Sequence, residues 1–354
     1  VAYCEIPFLN MKSHSLLSLL ATASIVSTSA VSGADLSDSF LTMFKALPSQ
    51  VDVPDNEITA AKTDLGRMLY YDTRFSKSQK ISCNSCHMLD KYGTDNAPFS
   101  SGHKGQKGGR SAPTVYNAAL HIAQFWDGRA PTVEEQAKGP VLNPIEMAMP
   151  DKEHVLKVIK SIQGYTAAFA KAFPGEADPI TYDNFGKAVG AFERKLLTPS
   201  RWDDYLKGNK EALTAEEKKG FETFVTVGCV TCHNQAGVGG HMYQKLGLAK
   251  PWPDLKDAGR FEATKLDSDK FFFKVPSLRN ISETGPYLHD GSVTDLPTMV
   301  KMMASHQLAR ELTDEQTSSI ISFLKALKGD LPTDYIKMPT LPESGPDTPK
   351  PDDT

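Results

Sequence analysis

Cysteine is scarce in this chain. Five occur among 354 residues, and the first, Cys4, precedes the first methionine, Met11. The other four, Cys83, Cys86, Cys229 and Cys232, fall inside two short stretches, ISCNSCH (81–87) and GCVTCHN (228–234). None is left to build a structural disulfide, which excludes a disulfide-stapled scaffold. A surplus of basic charge is also missing: 39 Lys and Arg stand against 43 Asp and Glu, for a net charge of -4. A nucleic-acid binder with a basic face is therefore not expected. Past residue 34 no apolar run is long enough to cross a bilayer, and the period-two alternation of strands is rare. What is present, 40% hydrophobic and 23% charged residues, suits a soluble globular protein with room for two domains.

The beginning of the chain reads as an address. From Met11, MKSHSLLSLLATASIVSTSAVSGA has a short basic start, an apolar stretch over 16–26, and the small residues Ser32 and Ala34 ahead of Asp35. That is the layout of a secretory signal peptide. Residues 1–34 are thus expected to be upstream residues plus signal peptide, with translation starting at Met11. The mature chain then begins at Asp35 in the periplasm.

Two cysteines and a histidine within five positions admit three chemistries. A redox dithiol has no need of the following histidine. Zinc needs further ligands at metal spacing. Covalent haem c uses all three residues: two thioether bonds from the cysteines and the adjacent imidazole as axial iron ligand. Two such units, in an exported chain with no other cysteine, select haem c. Cys83 and Cys86 would hold one haem and Cys229 and Cys232 the other, with His87 and His233 on the irons.

The repeat extends past these units. APTVYN (112–117) matches VPSLRN (275–280), and WDGRA (126–130) matches HDGSV (289–293) at the same spacing. Pro113 and Pro276, Asn117 and Asn280, Asp127 and Asp290, and Gly128 and Gly291 fall in one register. Helix signals agree. Thr214 and Glu217 form a capping box ahead of Gly220, Phe221, Phe224 and Val225; Thr313 and Gln316 do so ahead of Ile320, Phe323, Leu324 and Leu327, with Gly329 closing. Leu65, Met68 and Leu69 precede Cys83, and Phe185, Val189, Phe192 and Leu196 share a helical face that Pro199 ends. The fold class is mainly α, with two tandem cytochrome c-like haem domains. The first haem domain is expected over 35–197 and the second over 198–330. A C-terminal extension follows over 331–354, its Pro- and Asp-rich end disordered.

What faces each iron opposite its histidine decides between a carrier and a catalyst: methionine closes the site, whereas an open or weakly held position admits substrate. In the second half the candidates are Met242, Met299, Met302 and Met303, each by itself an ordinary core methionine. In the first half they are His103, His121, Met88, Met147 and Met149. His103 lies in SSGHKGQKGGR, a Gly- and Lys-rich stretch expected to be a mobile loop with a solvated histidine.

Taken in order, LGRMLYYD, ISCNSCH, SSGHKGQKG, APTVYNAA, AQFWDGRA, EEQAKGPVLNPIEM, GCVTCHN, GRF, PSLRN and MMASHQL resemble the bacterial di-haem cytochrome c peroxidases, over about residues 40–330. The resemblance implies a low-potential peroxidatic haem in the first half and a high-potential haem in the second. His103 matches the distal histidine that leaves on activation, Gln136 and Glu146 the pair that meets peroxide, and Trp126 the tryptophan between the haems. Met303 matches the sixth ligand of the second iron. A calcium ion at the junction would draw carbonyls from Thr284 and Pro286, although Ser111 stands where many relatives have asparagine. The electron donor implied is a small periplasmic cytochrome c or cupredoxin, the acceptor hydrogen peroxide, and the assembly a homodimer.

Taken without the resemblance, Glu146 reads as an exposed glutamate, Gln136 as a helix-surface residue and Trp126 as a core aromatic. His289 is assigned a structural hydrogen bond in its turn, and His121, His154, His241 and His306 are surface or core histidines. Two rivals remain: a two-haem electron-transfer cytochrome, and a tryptophan-tryptophylquinone maturation enzyme of the same superfamily, which would carry tyrosine at Met303.

Overall fold

Helices begin where the caps place them. The computed structural model describes residues 39–354; the expected signal peptide lies outside the described residues. Six helices carry the argument: α1 (Ala60–Tyr71), α2 (Val133–Leu142), α3 (Tyr182–Glu193), α4 (Ala215–Val227), α5 (Leu296–Leu308) and α6 (Asp314–Ala326). The capping boxes of Thr214 with Glu217 and of Thr313 with Gln316 close in both directions. They satisfy amide groups that the first helical turn leaves free. Helix α3 buries Phe185, Val189 and Phe192, but it stops at Glu193, short of Pro199. The chain there turns to meet the Asn117 loop, with Asn117 N donating to Leu196 O and Thr198 N to Asn117 Oδ1. Among the described residues the one sheet is a pair of short antiparallel strands, β1 (Tyr243–Lys245) and β2 (Phe272–Lys274), with Tyr243 opposite Lys274.

Two large apolar cores form, one in each half. Leu65, Tyr70, Phe75, Tyr165, Phe185 and Phe192 build the first; Trp202, Phe221, Phe224, Phe323 and Leu327 build the second. Both ends of the described chain cross over. Phe44, from the stretch before α1, packs edge-on to Trp202 and Phe221 in the second core. Ile336, from beyond the second half, is buried in the first core, and Tyr335 donates to Phe192 O. The last residues do not behave as their composition predicts. Asp352 N donates to Lys77 O, Gln79 Nε2 to Pro349 O, and Lys80 pairs with Asp353 at 2.7 Å. The acidic tail lies along a lysine-bearing turn, and this local charge match is invisible to composition.

The sequence repeat is a structural one. Asn117 and Asn280 share a left-handed backbone (φ 62° and 61°), as do Phe125 and Leu288 (65° and 74°). Asparagine tolerates that region because its short polar side chain can bond locally. Both asparagines donate Nδ2 to one acceptor, the buried Thr198 Oγ1, each at 2.9 Å. Thr198 therefore sits where the two halves exchange roles. Matching hydrogen bonds cross between them: Lys274 N to Trp126 O at 2.8 Å, and Ser111 N to His289 O at 2.6 Å.

Candidate functional site

Each CxxCH unit folds as one tight helical turn. His87 N donates to Cys83 O at 3.0 Å and His233 N to Cys229 O at 3.1 Å. A single turn sets the two sulfurs and the imidazole on one side of the chain, as one porphyrin edge and its iron require. Behind the first imidazole, His87 Nδ1 meets Pro113 O at 3.0 Å, which leaves Nε2 free to face a metal. The Pro276 carbonyl lies near His233, but His233 Nδ1 is buried without a hydrogen-bond partner. Burial depresses both histidines, His233 to about 4, so each is a neutral, ligand-ready imidazole. Burial also pushes the Cys83 and Cys229 thiols up to about 12. Such sulfurs are poor thiolates, which disfavours a zinc site. Among the described residues no three His, Cys, Asp or Glu side chains gather as a metal cluster. The residues present fit covalent haem.

Near the first unit runs the His103 segment, with Ser100 beside the Cys86 thiol. His103 is 4% exposed, not solvated, and its backbone is clamped. Its amide donates to Ile145 O and to Glu146 O, at 3.0 and 2.8 Å. Gly102 is required there, since a Cβ would collide with the Ile145 carbonyl and Glu146 Cα. His103 Nδ1 is buried without a partner, and Nε2 has the Thr354 carbonyl at 3.5 Å. Gly102 thus permits close approach to 145–146, and His103 is held there rather than carried on a free loop.

Glu146 is half-buried and lines a cavity of about 290 Å³ with Phe125, Arg129, Pro140 and Asn143. Asn143 Nδ2 donates to its carboxylate at 2.8 Å. Burial raises the carboxyl above its usual range, against the opposing pull of Arg129 and Asn143. Gln136 is on α2, half-buried, and does not line this cavity. Trp126 lies between the halves. Its Nε1 donates to Ser111 O at 2.9 Å, and its ring meets His289 edge-on at 6.4 Å. His289 is buried and stacked on Phe273, centroids 4.4 Å apart. In the second half Met299, Met302 and Met303 on α5 all touch one apolar cluster, which Trp126 also joins.

Comparison with known proteins fits this geometry. Residues 60–211 match the family model described as di-haem cytochrome c peroxidase. A cytochrome c551 peroxidase of Nitrosomonas europaea is 46% identical over 305 residues, covering 86% of this chain and 89% of that protein. Another from Pseudomonas aeruginosa is 40% identical over 348 residues, covering 96% and 99%. This chain belongs to the di-haem cytochrome c peroxidase family. Among solved structures, a MauG-like protein associated with microbial copper homeostasis superposes with a TM-score of 0.73 at 28% identity, covering 83% of this chain and 97% of that one. The two-haem reading and the mainly helical fold thus agree with the family.

The structure also shows residues that the family-based reading passed over. Arg129 and Asn143 share the Glu146 cavity; both were in view in WDGRA and LNPIEM, but nothing in spacing ties them to Glu146. At the junction, Asn96 Nδ2 donates to Glu283 O and Gly285 O, which leaves the intervening Thr284 carbonyl, and that of Pro286, without a donor among the described residues. Of the remaining histidines, His306 packs at a tilt against Trp252 and His241 keeps a buried, unpartnered Nδ1. His121 pairs with Lys274.

Proposed function

We propose that this protein reduces hydrogen peroxide to two waters, consuming two protons and two electrons drawn from a small periplasmic cytochrome c or cupredoxin. Haem bound at Cys83 and Cys86 would supply the iron that accepts peroxide, and haem at Cys229 and Cys232 would take in electrons. Their covalent attachment is part of this proposal, as are periplasmic location and a homodimer. His87 and His233 would each hold one iron, Met303 would be a further ligand to the second, and His103 would guard the first.

The observation that carries the reading is the hydrogen bond from the His103 amide to the Glu146 carbonyl. The detachable imidazole and the carboxyl that lines the cavity hang on the same backbone contact, so withdrawing His103 must disturb the segment that positions Glu146. Glu146, steadied by Asn143, takes a proton from the near oxygen of peroxide and returns it to the departing one, a role worth about 10²–10⁴ in rate. Gln136, on the helix beside that cavity though not lining it, is assigned substrate orientation by the family resemblance alone, and Trp126, between the halves, lies on the proposed electron route. Thr284 and Pro286 carbonyls, with the Ser111 segment, offer hard oxygens for a calcium ion, which binds oxygen donors.

In steady-state assays with peroxide and a reduced cytochrome c, Glu146→Gln should lose about 10²–10⁴ of turnover while both haem spectra persist. His103→Gly should turn over without pre-reduction. A His103→Gly protein that still needs pre-reduction overturns the gating role; full activity in Glu146→Gln overturns the acid–base role.

A further inference from the structure

The sequence register that aligns Asn117 with Asn280 also aligns Ser111 with Lys274 and His121 with Thr284. One side of the junction presents bare carbonyl oxygens; the other presents an ammonium and an imidazole. Lys274 is 6% exposed, and the hydrogen bond its Nζ makes goes to His121 Nδ1, at 3.2 Å. No carboxylate forms an ion pair with it among the described residues, and burial lowers it only to about 8, so it remains mostly charged at neutral pH. An ammonium has donors alone, so Nδ1 is the acceptor and the proton of the neutral imidazole sits on Nε2. Burial, followed by the Lys274 charge, keeps His121 neutral. That Nε2 is buried and has no partner.

Two donors, one of them charged, therefore share a buried place that lacks an acceptor. Buried charges are tolerated when paired and hydrogen-bonded. The group that completes this pair accepts only and carries negative charge. Its neighbourhood points to the second CxxCH unit. The His121 ring fills the space where a Cβ of Gly240 would stand. The adjoining Gly239 faces His233 Nδ1 and Pro276 O, two residues along the chain from Lys274.

We propose that Lys274 and His121 form a carboxylate-binding site beside His233, occupied by a propionate of the haem attached at Cys229 and Cys232. The inference rests on haem attachment there, which the haemochrome spectrum reads independently. The test uses full-length holoprotein, wild type, Lys274→Met and Lys274→Arg, with midpoint potentials followed by spectroelectrochemistry with and without added formate. Lys274→Met should keep two haems and shift the C-terminal midpoint to lower potential, because an unpaired propionate favours the ferric state; Lys274→Arg should stay near wild type. The propionate-bending band of that haem in resonance Raman should move with it. His121→Phe, which removes the second donor while filling the space, should shift the midpoint the same way and by less. It keeps the test open if Lys274→Met does not fold. Formate should change nothing; a saturable response in wild type supports the carboxylate site but overturns the propionate as its occupant. An unshifted midpoint with both haems present overturns the site and leaves the haem reading intact. A haemochrome lacking the second haem overturns both.

Discussion

Replacing Arg279 by methionine probes the contact that locks the N-terminal stretch to the second half. The guanidinium is fully buried and bidentate on Asp203, with both bonds at 2.8 Å, and its Nε donates to Ala236 O at 2.6 Å. Asp203 also accepts from Leu47 N and Ser200 N, each at 2.7 Å. Burial pushes its carboxyl up, but the hydrogen bonds and charge of Arg279, with the two amides, outweigh this and hold it below the usual range. Methionine keeps the volume and strips the charge, leaving a buried carboxylate whose loss of partner costs about 3–5 kcal/mol. The sign with pH follows. In wild type the depressed carboxyl contributes stability above its unfolded value, lost as pH falls through the folded one. Without Arg279 the folded carboxyl favours its proton, so the deficit is largest near neutrality and shrinks on acidification. Urea unfolding of the holoprotein by far-ultraviolet circular dichroism, at about pH 7 and about pH 4.5, reads both. Asp203→Asn in the Arg279→Met background should recover part of the loss. A deficit under about 1 kcal/mol at neutral pH, or one that grows with acid, would refute the reasoning.

Two other perturbations test different links. Glu193 is buried, and burial, then the nearby Glu134 charge, raise it to about 8 against the pull of Arg194. Its folded value above the ordinary 4.5 means stability is greatest below that value and falls as pH rises toward about 8. Glu193→Gln should remove that slope and gain up to roughly 5 kcal/mol at about pH 9, read as a flatter urea midpoint against pH; a slope that persists sinks the assignment. Thr198→Val keeps the shape but leaves the Asn117 and Asn280 amides without their shared acceptor, at about 1–3 kcal/mol each. Adding Asn117→Ala should then cost less than it does in wild type, and strict additivity would deny the shared bond.

Much of this was legible because the signals are local. A capping box spans four residues, so Thr214 with Glu217 and Thr313 with Gln316 announce α4 and α6 without tertiary help. CxxCH is likewise a one-turn device, and the register of APTVYN on VPSLRN already held the pseudo-symmetry that Asn117 and Asn280 express in space. What composition missed was long-range. Glycines 102, 105, 108 and 109 suggested a mobile segment, but at Gly102 the missing Cβ is what lets the chain reach Ile145 and Glu146. The tail from 342 was expected to be disordered on its Pro and Asp content, yet its charges meet lysines some 270 residues earlier. Pairings at such separation leave no periodic trace. The Lys274–His121 contact escaped for the same reason: each residue by itself is unremarkable.

A duplicated scaffold with equal halves gives no direction to electron flow; the departures from symmetry must provide it. The shared parts are backbone: the CxxCH turns, the left-handed asparagines, the crossing amides to Trp126 and His289 carbonyls. The departures are side chains at equivalent positions. Trp126 stands opposite His289, and Ser111, with bare carbonyls nearby, stands opposite Lys274 with its fixed positive charge. The first half sets a clamped imidazole beside a carboxyl-lined cavity, and the second a helix of methionines. On the proposed function, a positive charge held beside one haem would favour its reduced state, while the cavity beside His103 would leave room for chemistry at the other. Duplication thus supplied two equivalent seats, and a few substitutions at equivalent positions set them apart, as the proposed division between electron entry and peroxide chemistry requires.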